Sequence, residues 1–253
     1  MKAKAERKRL DVLLVERGLA ESRHKAQAMI LAGEVEVDRR RAEKAGALLP
    51  DTAHIEVHSR LQKYASRGGL KLEGALEDFH LSATGKVCLD LGASTGGFTD
   101  CLLQAGASRV YAVDVNTDQL SWKLREHPRV AQIEKNARHL RPEDLPEVVD
   151  LVVADVSFIS VTKILSGASA CAKESAELLI LVKPQFELQR KDVGRGGIVR
   201  DKSLHEKAIG GVKRAAEALG LTVSGIAPSH LAGAEGNQEY FLHARKLPKV
   251  ESR

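Results

Sequence analysis

An apolar segment that runs directly into a glycine-rich turn constrains the fold more than any other feature of this sequence. Residues 87–91 have the pattern of a buried strand, and three glycines follow within six residues, at Gly92, Gly96 and Gly97. An apolar helical pattern begins at Thr99. A backbone that must approach another group closely needs residues without a Cβ atom. A strand, a glycine turn and a helix together place a ligand at the carboxyl edge of a sheet.

Strand and helix patterns alternate from this point to the end of the chain. This alternation predicts an α/β fold with a doubly wound, mostly parallel sheet. The predicted strands are 87–91, 109–114, 130–133, 150–154, 177–182, 221–226 and 240–243. Helical patterns lie between them, for example over 205–219. The final strand follows a connection rich in turn residues, so we expect it to be an antiparallel partner.

The first quarter of the chain has a different charge balance from the rest. Residues 1–67 hold 15 of the 39 Lys and Arg residues and 10 of the 34 Asp and Glu residues, which accounts for the whole formal net charge of +5. A small basic segment attached to a neutral body favours binding to a polyanion. A solvated basic tail would give the same charge balance.

Within this quarter, two short helices and two short strands are predicted. Ser22 is the expected N-cap of the second helix, and Gly33 is its expected end. Basic side chains at the start of that helix and in the following turn are candidates for holding phosphates; they are Arg23, His24, Lys25, Arg39 and Arg40. A structural cap with a charged face is the alternative.

The order of residues here resembles the small RNA-binding domain first described in ribosomal small-subunit protein four, the S4 domain. The resemblance is carried by Arg9-Leu10-Asp11, the run from Gly18 to Arg23, and the segment Ala32-Gly33-Glu34-Val35-Glu36-Val37. It covers about residues 8–59 and implies a small α+β domain that binds RNA through the second helix and the loop after it. Residues 60–70 are then predicted to be a linker, in which Arg67 is a further RNA-contact candidate.

Both NAD and S-adenosylmethionine are compatible with the glycine turn. The spacing Asp90-x-Gly92-x-x-x-Gly96-Gly97 differs from the GxGxxG spacing expected for a pyrophosphate. Asp114 ends the second strand, where a carboxylate can accept hydrogen bonds from both ribose hydroxyls. An acid two residues before the first glycine suits a ligand with an ammonium group, so the pattern favours S-adenosylmethionine without excluding NAD.

Polar residues follow three further predicted strands of the sheet. Asp155, Lys183 and Glu239 stand at strand boundaries, and such positions line the ligand crevice of open α/β sheets. Lys183 directly follows four apolar residues, and its partial desolvation makes it a candidate base. Lys71, on the first turn of a predicted helix, is a second cation that could face the site. A surface lysine, a helix cap or a surface ion pair would explain each residue taken alone.

As a set, Lys71, Asp155, Lys183 and Glu239 resemble the Lys-Asp-Lys-Glu tetrad of FtsJ-like ribose 2′-O-methyltransferases. Together with the S4-like segment, the chain resembles the TlyA type of that family, which is also labelled hemolysin A. The resemblance implies a Rossmann-like class I methyltransferase domain over 71–245 and ribose methylation in ribosomal RNA, with cytidine as the acceptor. It implies S-adenosylmethionine bound by Asp90, Gly92, Ala93, Ser94, Thr95, Gly96, Gly97, Phe98, Asp114, Val115, Asn136 and Asp155. RNA would be held by Arg9, Arg23, His24, Lys25, Arg39, Arg40 and Arg67.

Three other functions remain open from the sequence. A membrane-active hemolysin would need an amphipathic or spanning segment that the sequence does not show. An RNA-binding ribosome-assembly factor without activity would not need the tetrad. A base methyltransferase would be expected to carry Asn/Asp-Pro-Pro-aromatic where this chain has Asp155-Val156-Ser157-Phe158. The basic, glycine-rich segment 189–201 is either a lid that touches RNA or a surface loop.

Cysteine usage and the first residues indicate the compartment. The three cysteines contain no CxxC pair, which argues against a disulfide framework or a zinc site, and no metal is expected. Residues 1–8 are charged and no apolar region follows them, so they do not form a secretory signal. We therefore expect a cytoplasmic protein.

Overall fold

The computed structural model describes residues 7–20, 22–31, 33–38, 40–57, 63–233 and 236–248. The chain divides into two compact units, Met1–Gln62 and Lys63–Arg253. No helix among the described residues is long and apolar enough to cross a membrane.

The first unit is a small α+β structure built on two helices. Its elements are β1 (Arg7–Arg9), α1 (Leu10–Glu16), α2 (Arg23–Leu31), β2 (Val35–Val37), β3 (Arg40–Arg41), β4 (Leu48–Pro50) and β5 (Ile55–Val57). Strand β1 pairs with β4, and β2 lies between β3 and β5, all antiparallel. Leu10, Leu14, Ala26, Ile30 and Val35 are buried between the helices and the strands.

Local signals explain where α2 begins and ends. Ser22 Oγ accepts a hydrogen bond from the backbone N–H of Lys25 at 3.2 Å, as predicted for the N-cap. Gly33 follows the helix with a φ of +73°, a conformation that favours glycine. The short strands β1, β3 and β4 were not predicted, because two or three residues are too few to show an alternating pattern.

The second unit is a seven-stranded sheet with helices on both faces. Its strands are β6 (Val87–Leu91), β7 (Arg109–Asp114), β8 (Val130–Glu134), β9 (Val149–Ala154), β10 (Ala172–Val182), β11 (Leu221–Pro228) and β12 (Tyr240–Lys246). Its helices are α3 (Gly68–Asp78), α4 (Gly97–Gln104), α5 (Trp122–Arg125), α6 (Leu165–Cys171), α7 (Pro184–Glu187) and α8 (Lys202–Ala218). The strand order is β11-β12-β10-β9-β6-β7-β8. The predicted mostly parallel, doubly wound sheet is confirmed.

Strand β12 is the one reversed strand of the sheet. It lies between β10 and β11 and is antiparallel to both, with Tyr240 opposite Val182. This arrangement confirms the expected antiparallel partner. The same register puts Glu239, which directly precedes β12, at the edge where β10 ends.

Two regions differ from the sequence prediction. Strand β10 begins five residues earlier than predicted, because the exposed polar residues at its start show no apolar pattern and pair irregularly with β9. Residues 63–67, which fall in the predicted linker, are held against α4. Gln104 Nε2 donates to the Lys63 carbonyl at 2.7 Å, and Asp100 accepts from Ala65 N at 2.8 Å.

Candidate active site

The site lies where the chain changes direction across the sheet. After β6 the chain continues outward to β7 and β8, then returns to the other side of β6 as β9. In open α/β sheets, ligands bind at the carboxyl ends of the strands beside such a reversal. Here Asp155 N donates to Leu91 O at 2.9 Å, which joins the ends of β6 and β9. Gly92 and Asp155 therefore form the floor of the crevice.

At each glycine of the loop, an added Cβ would meet a close contact within the protein. A Cβ at Gly92, where φ is +86°, would lie 2.4 Å from the carbonyl oxygen of Asp155. A Cβ at Gly96, where φ is +95°, would lie 2.2 Å from Leu124 Cδ1, and one at Gly97 would lie 2.2 Å from Ser66 Oγ. From the sequence, these glycines were explained by a ligand that the backbone must approach closely. In the structure they let α5, the 66–69 segment and the end of β9 come close.

A cleft of about 200 Å³ opens above this loop. Ala93, Ser94, Thr95 and Phe98 line it from the glycine loop, and Lys71 and Asp155 line it from the predicted tetrad. Ser94 has a positive φ of 48°, which is uncommon for a residue with a Cβ. Gly92 and Gly97 of the same loop also line the cleft.

Asp90 is an acid with an incomplete set of hydrogen bonds beneath the loop. Strand alternation places Asp90 on the same face as Cys88, toward α4, and its side chain is fully buried. Thr99 Oγ1 donates to Asp90 Oδ2 at 2.6 Å, whereas Oδ1 is buried without a hydrogen-bond partner among the described residues. Burial raises the pKa of Asp90 to about 7, and the Thr99 hydroxyl partly offsets this effect. A buried oxygen without a partner is costly unless a ligand supplies a donor.

Asp114 is held rigidly at the end of β7. Its Oδ2 accepts from Ser94 N at 2.9 Å and its Oδ1 accepts from Asn116 N at 3.2 Å. Each carboxylate oxygen keeps a lone pair for a further donor. Val115, which follows, is exposed, and the exposed Asn136 caps a short turn after β8 by accepting from Arg138 N.

The four tetrad residues form two ion pairs. Lys71 Nζ donates to Glu239 Oε2 at 2.6 Å, and both side chains are buried. Lys183 Nζ lies 2.5 Å from Asp155 Oδ1 and donates to Ser157 Oγ at 2.8 Å. Buried lysines need such partners, because an unpaired buried charge is strongly unfavourable. The sequence predicted these four residues for one site but not which lysine pairs with which carboxylate.

The loops after β9 and β10 are joined by contacts that the sequence did not reveal. The rings of Phe158 and Phe186 are 5.4 Å apart between centroids. Glu187 accepts from Ser160 Oγ at 2.6 Å and from Val161 N at 2.7 Å. Burial raises the pKa of Glu187, which these hydrogen bonds partly offset. Phe158 is 88% exposed with a φ of +66°, an unusual conformation for a large side chain that suggests a functional role.

The basic segment 189–201 is anchored at its carboxyl end. Asn237, which is buried, accepts from Val199 N and donates to Gly197 O, each at 2.9 Å. His205 bonds Val199 O and the Tyr240 hydroxyl, each at 2.8 Å. These contacts attach the segment to residues on both sides of Glu239.

In the first unit, two of the predicted RNA contacts, Arg9 and Arg23, donate hydrogen bonds to the same carboxylate within the protein. Asp11 is fully buried and accepts from Arg9 Nε at 2.9 Å, Arg23 Nη2 at 3.1 Å and Gln27 Nε2 at 2.8 Å. The Arg9 guanidinium, with help from Gln27 and Arg23, holds the pKa of Asp11 well below its usual range. The roles of Arg9 and Arg23 in RNA binding stay predictions.

The Asp11 cluster should make the stability of this unit depend on pH. A carboxylate whose folded-state pKa is lowered stabilises the fold above its unfolded-state pKa of about 4, and this contribution is lost as the pH falls toward the folded-state value. We expect Asp11→Asn to lower the free energy of unfolding by about 2 kcal/mol at pH 7. The free energy of unfolding of this variant should also fall less between pH 7 and pH 3 than that of the unmodified protein. A urea titration followed by NMR signals of residues 10–31 would measure both.

Asp51→Asn is the matched control, because the Asp51 side chain is exposed. If Asp11→Asn and the unmodified protein showed the same decline in stability with falling pH, the cluster would not be the source of that decline.

The remaining predicted RNA contacts are accessible. His24, Lys25 and Arg40 are exposed on the first unit. Arg67 is exposed on the second unit, where it lines the cleft. Arg39 lies outside the described residues, as do Arg60, Leu61 and Gln62 of the predicted linker.

Two protein-family profiles match this chain, one in each unit. The profile of the FtsJ-like methyltransferases matches residues 64–246, and that of the S4 domain matches residues 8–52.

Curated relatives extend over nearly the whole chain. The chain is 46% identical to the 16S/23S rRNA (cytidine-2′-O)-methyltransferase TlyA of Mycobacterium tuberculosis, over 95% of this chain and 91% of that protein. It is 45% identical to Hemolysin A of Brachyspira hyodysenteriae, over 93% of this chain and 98% of that protein. A solved structure of a hemolysin candidate from Streptococcus thermophilus superposes with a TM-score of 0.76 at 40% identity, covering 96% of this chain and 90% of that one.

Proposed function

The chain belongs to the FtsJ-like methyltransferase family, and we propose that it methylates the ribose 2′-hydroxyl of a cytidine in ribosomal RNA, using S-adenosylmethionine in the cytoplasm. One observation carries the proposal most directly. Two lysines, each paired with a carboxylate, stand beside a cleft that a glycine loop forms at the reversal point of the sheet.

The residues around the cleft fit S-adenosylmethionine. No described residue donates a hydrogen bond to the buried Asp90 Oδ1, and the methionine moiety of the cofactor carries an ammonium group. Asp114 would accept hydrogen bonds from the two ribose hydroxyls, and Val115 and Asn136 would contact the base. The backbone and side chains of 92–98 would surround the remainder. When bound, S-adenosylmethionine supplies an electrophilic methyl group on its sulfonium.

The tetrad would prepare the acceptor hydroxyl. Because the methyl donor is already reactive, the main need is to hold the 2′-oxygen in line and to move its proton. Lys183 would accept or steer that proton. Lys71 would hold the ribose or its phosphate, with Glu239 fixing its position. Asp155 would hold Lys183 at the cleft, and as a predicted cofactor contact it also stands next to the donor.

RNA would be bound by both units. His24, Lys25 and Arg40 would contact phosphates from the first unit, and Arg67 would do so at the cleft. Phe158 offers an exposed ring three residues after Asp155. Stacking on an aromatic ring stabilises a bound base by about 1–3 kcal/mol, so we propose that Phe158 supports a base next to the reacting ribose.

The proposal is tested by incubating the protein with methyl-labelled S-adenosylmethionine and separated ribosomal subunits. We expect label in the RNA of at least one subunit, and nuclease mapping should place it on the 2′-oxygen of a cytidine. Label on a base would contradict the ribose assignment. Binding to a subunit without any label would instead indicate an RNA-binding assembly factor, and release of dye from phospholipid vesicles without RNA labelling would favour the hemolysin function.

A further inference from the structure

We propose that Ser157 is a positioning residue that sets the orientation of the Lys183 amino group for methyl transfer. This inference rests on the proposed function. Ser157 Oγ accepts a hydrogen bond from Lys183 Nζ at 2.8 Å, and the Lys183 side chain is only 9% exposed. No role in catalysis was predicted for Ser157 from the sequence.

The two partners of Lys183 act on it differently. Asp155 Oδ1 lies 2.5 Å from Nζ, yet this oxygen receives no aligned hydrogen bond from the described residues. Asp155 therefore attracts the amino group through its charge, and it restricts the rotation less than an aligned hydrogen bond does. The hydrogen bond to Ser157 is directional. It fixes the rotation about the Cε–Nζ bond.

Fixing this rotation determines where the remaining positions of the nitrogen point. The nitrogen of Lys183 has three positions besides Cε. One is directed at Ser157, and Asp155 attracts a second. The third position is left to face the acceptor hydroxyl. It holds a lone pair if Lys183 accepts the hydroxyl proton, and an N–H if Lys183 only steers it. Without the Ser157 hydroxyl, an N–H can turn into that third position or away from it, and fewer encounters have the productive geometry.

The loop holds Ser157 firmly at this place. Asp155 N is bonded to Leu91 O at 2.9 Å at one end of the loop. At the other end, Ser160 and Val161 are bonded to Glu187. Ser157 itself is exposed, so its hydroxyl is not needed to fill space in the core. Among the described residues, the hydrogen-bond partner of this hydroxyl is Lys183.

Ser157→Thr and Ser157→Val form a matched pair for testing the role. The two variants have nearly the same shape, and only threonine keeps the hydroxyl. With labelled S-adenosylmethionine and a ribosomal subunit, we expect Ser157→Val to lower the single-turnover rate constant by about 10- to 100-fold, as for the loss of one hydrogen bond to a charged group. Ser157→Thr should stay within about threefold of the unmodified protein. The KM for each substrate and the melting temperature should be similar for both variants.

The possible outcomes separate this inference from the proposed function. If the unmodified protein labels no RNA, the proposed function itself fails. If it labels RNA and the valine and threonine variants have equal rates, Ser157 has no positioning role. A parallel loss of rate, raised KM and lowered melting temperature in both variants would mean that the residue only maintains the loop, which also overturns the inference.

Discussion

Lys183→Met should abolish measurable methyl transfer while leaving the binding of S-adenosylmethionine and of the ribosomal subunit intact. Removing a group that handles the proton of the acceptor typically lowers a rate by roughly 10²- to 10⁴-fold. Methionine keeps most of the length of the side chain, so the packing at the end of β10 is preserved. The Asp155 side chain is 22% exposed, but its Oδ1, which faces Lys183, is buried and loses its cation, so we also expect a lower melting temperature. Single-turnover labelling and calorimetric titration with the cofactor would measure the two effects separately.

Lys173→Met is the matched control for that substitution. Lys173 is the second residue of β10, and Lys183 directly follows the last residue of that strand. Lys173 Nζ forms an ion pair with Asp150 at 2.7 Å, as Lys183 does with Asp155. Asp150 also accepts from Val87 N at 2.9 Å and would keep that bond. Lys173→Met should retain activity within about twofold, since exposed ion pairs contribute little. Full activity in Lys183→Met, or equal losses in both variants, would remove Lys183 from the mechanism.

The sequence predicted the sheet well because the relevant signals are local. Strands β6, β7 and β9 and the second half of β10 are mainly apolar runs, and polar residues directly after β9 and β10 mark the carboxyl edge. Asp155 and Lys183 could be assigned to one crevice for this reason. Their pairing could not be predicted, because it depends on side chains from distant segments: Lys71 and Glu239 are 168 residues apart and form a hydrogen bond.

Other features required the folded geometry. Arg23 was predicted as an RNA contact from its charge at the start of a helix, and Arg9 from the resemblance to the S4 domain. Nothing in the sequence shows that both are bonded to Asp11. Likewise, Ser157, Ser160 and Glu187 have ordinary local sequence contexts, and their contacts appear only when two strand-end loops meet. A residue's type indicates what it can do, whereas its partners depend on the register and length of the strands that carry it.

The glycine loop gives the second large prediction, because its closest contact with a backbone atom lies under the proposed catalytic residues. Gly92→Ala would place a Cβ 2.4 Å from the carbonyl oxygen of Asp155 and 3.3 Å from Val156 Cγ1. That carbonyl belongs to the backbone, so the end of β9 must move. Asp155 and its ion pair with Lys183 would move with it. A displacement of about 1 Å in such a site can cost roughly 100-fold in rate, and we expect at least that loss in single-turnover labelling, with weaker cofactor binding.

The positive φ of Gly92 also opposes an alanine, and Gly220→Ala separates this effect from the steric one. Gly220 has a φ of +78° and nothing within 4 Å of an added Cβ. Gly220→Ala therefore has only the conformational cost of a positive φ, about 1–2 kcal/mol. Both variants should melt at a lower temperature, and only Gly92→Ala should lose activity when both are assayed well below their melting temperatures. Equal activity in the two variants would mean that the loop tolerates displacement of Asp155, and the close approach of β6 and β9 would then not be what positions the proposed tetrad.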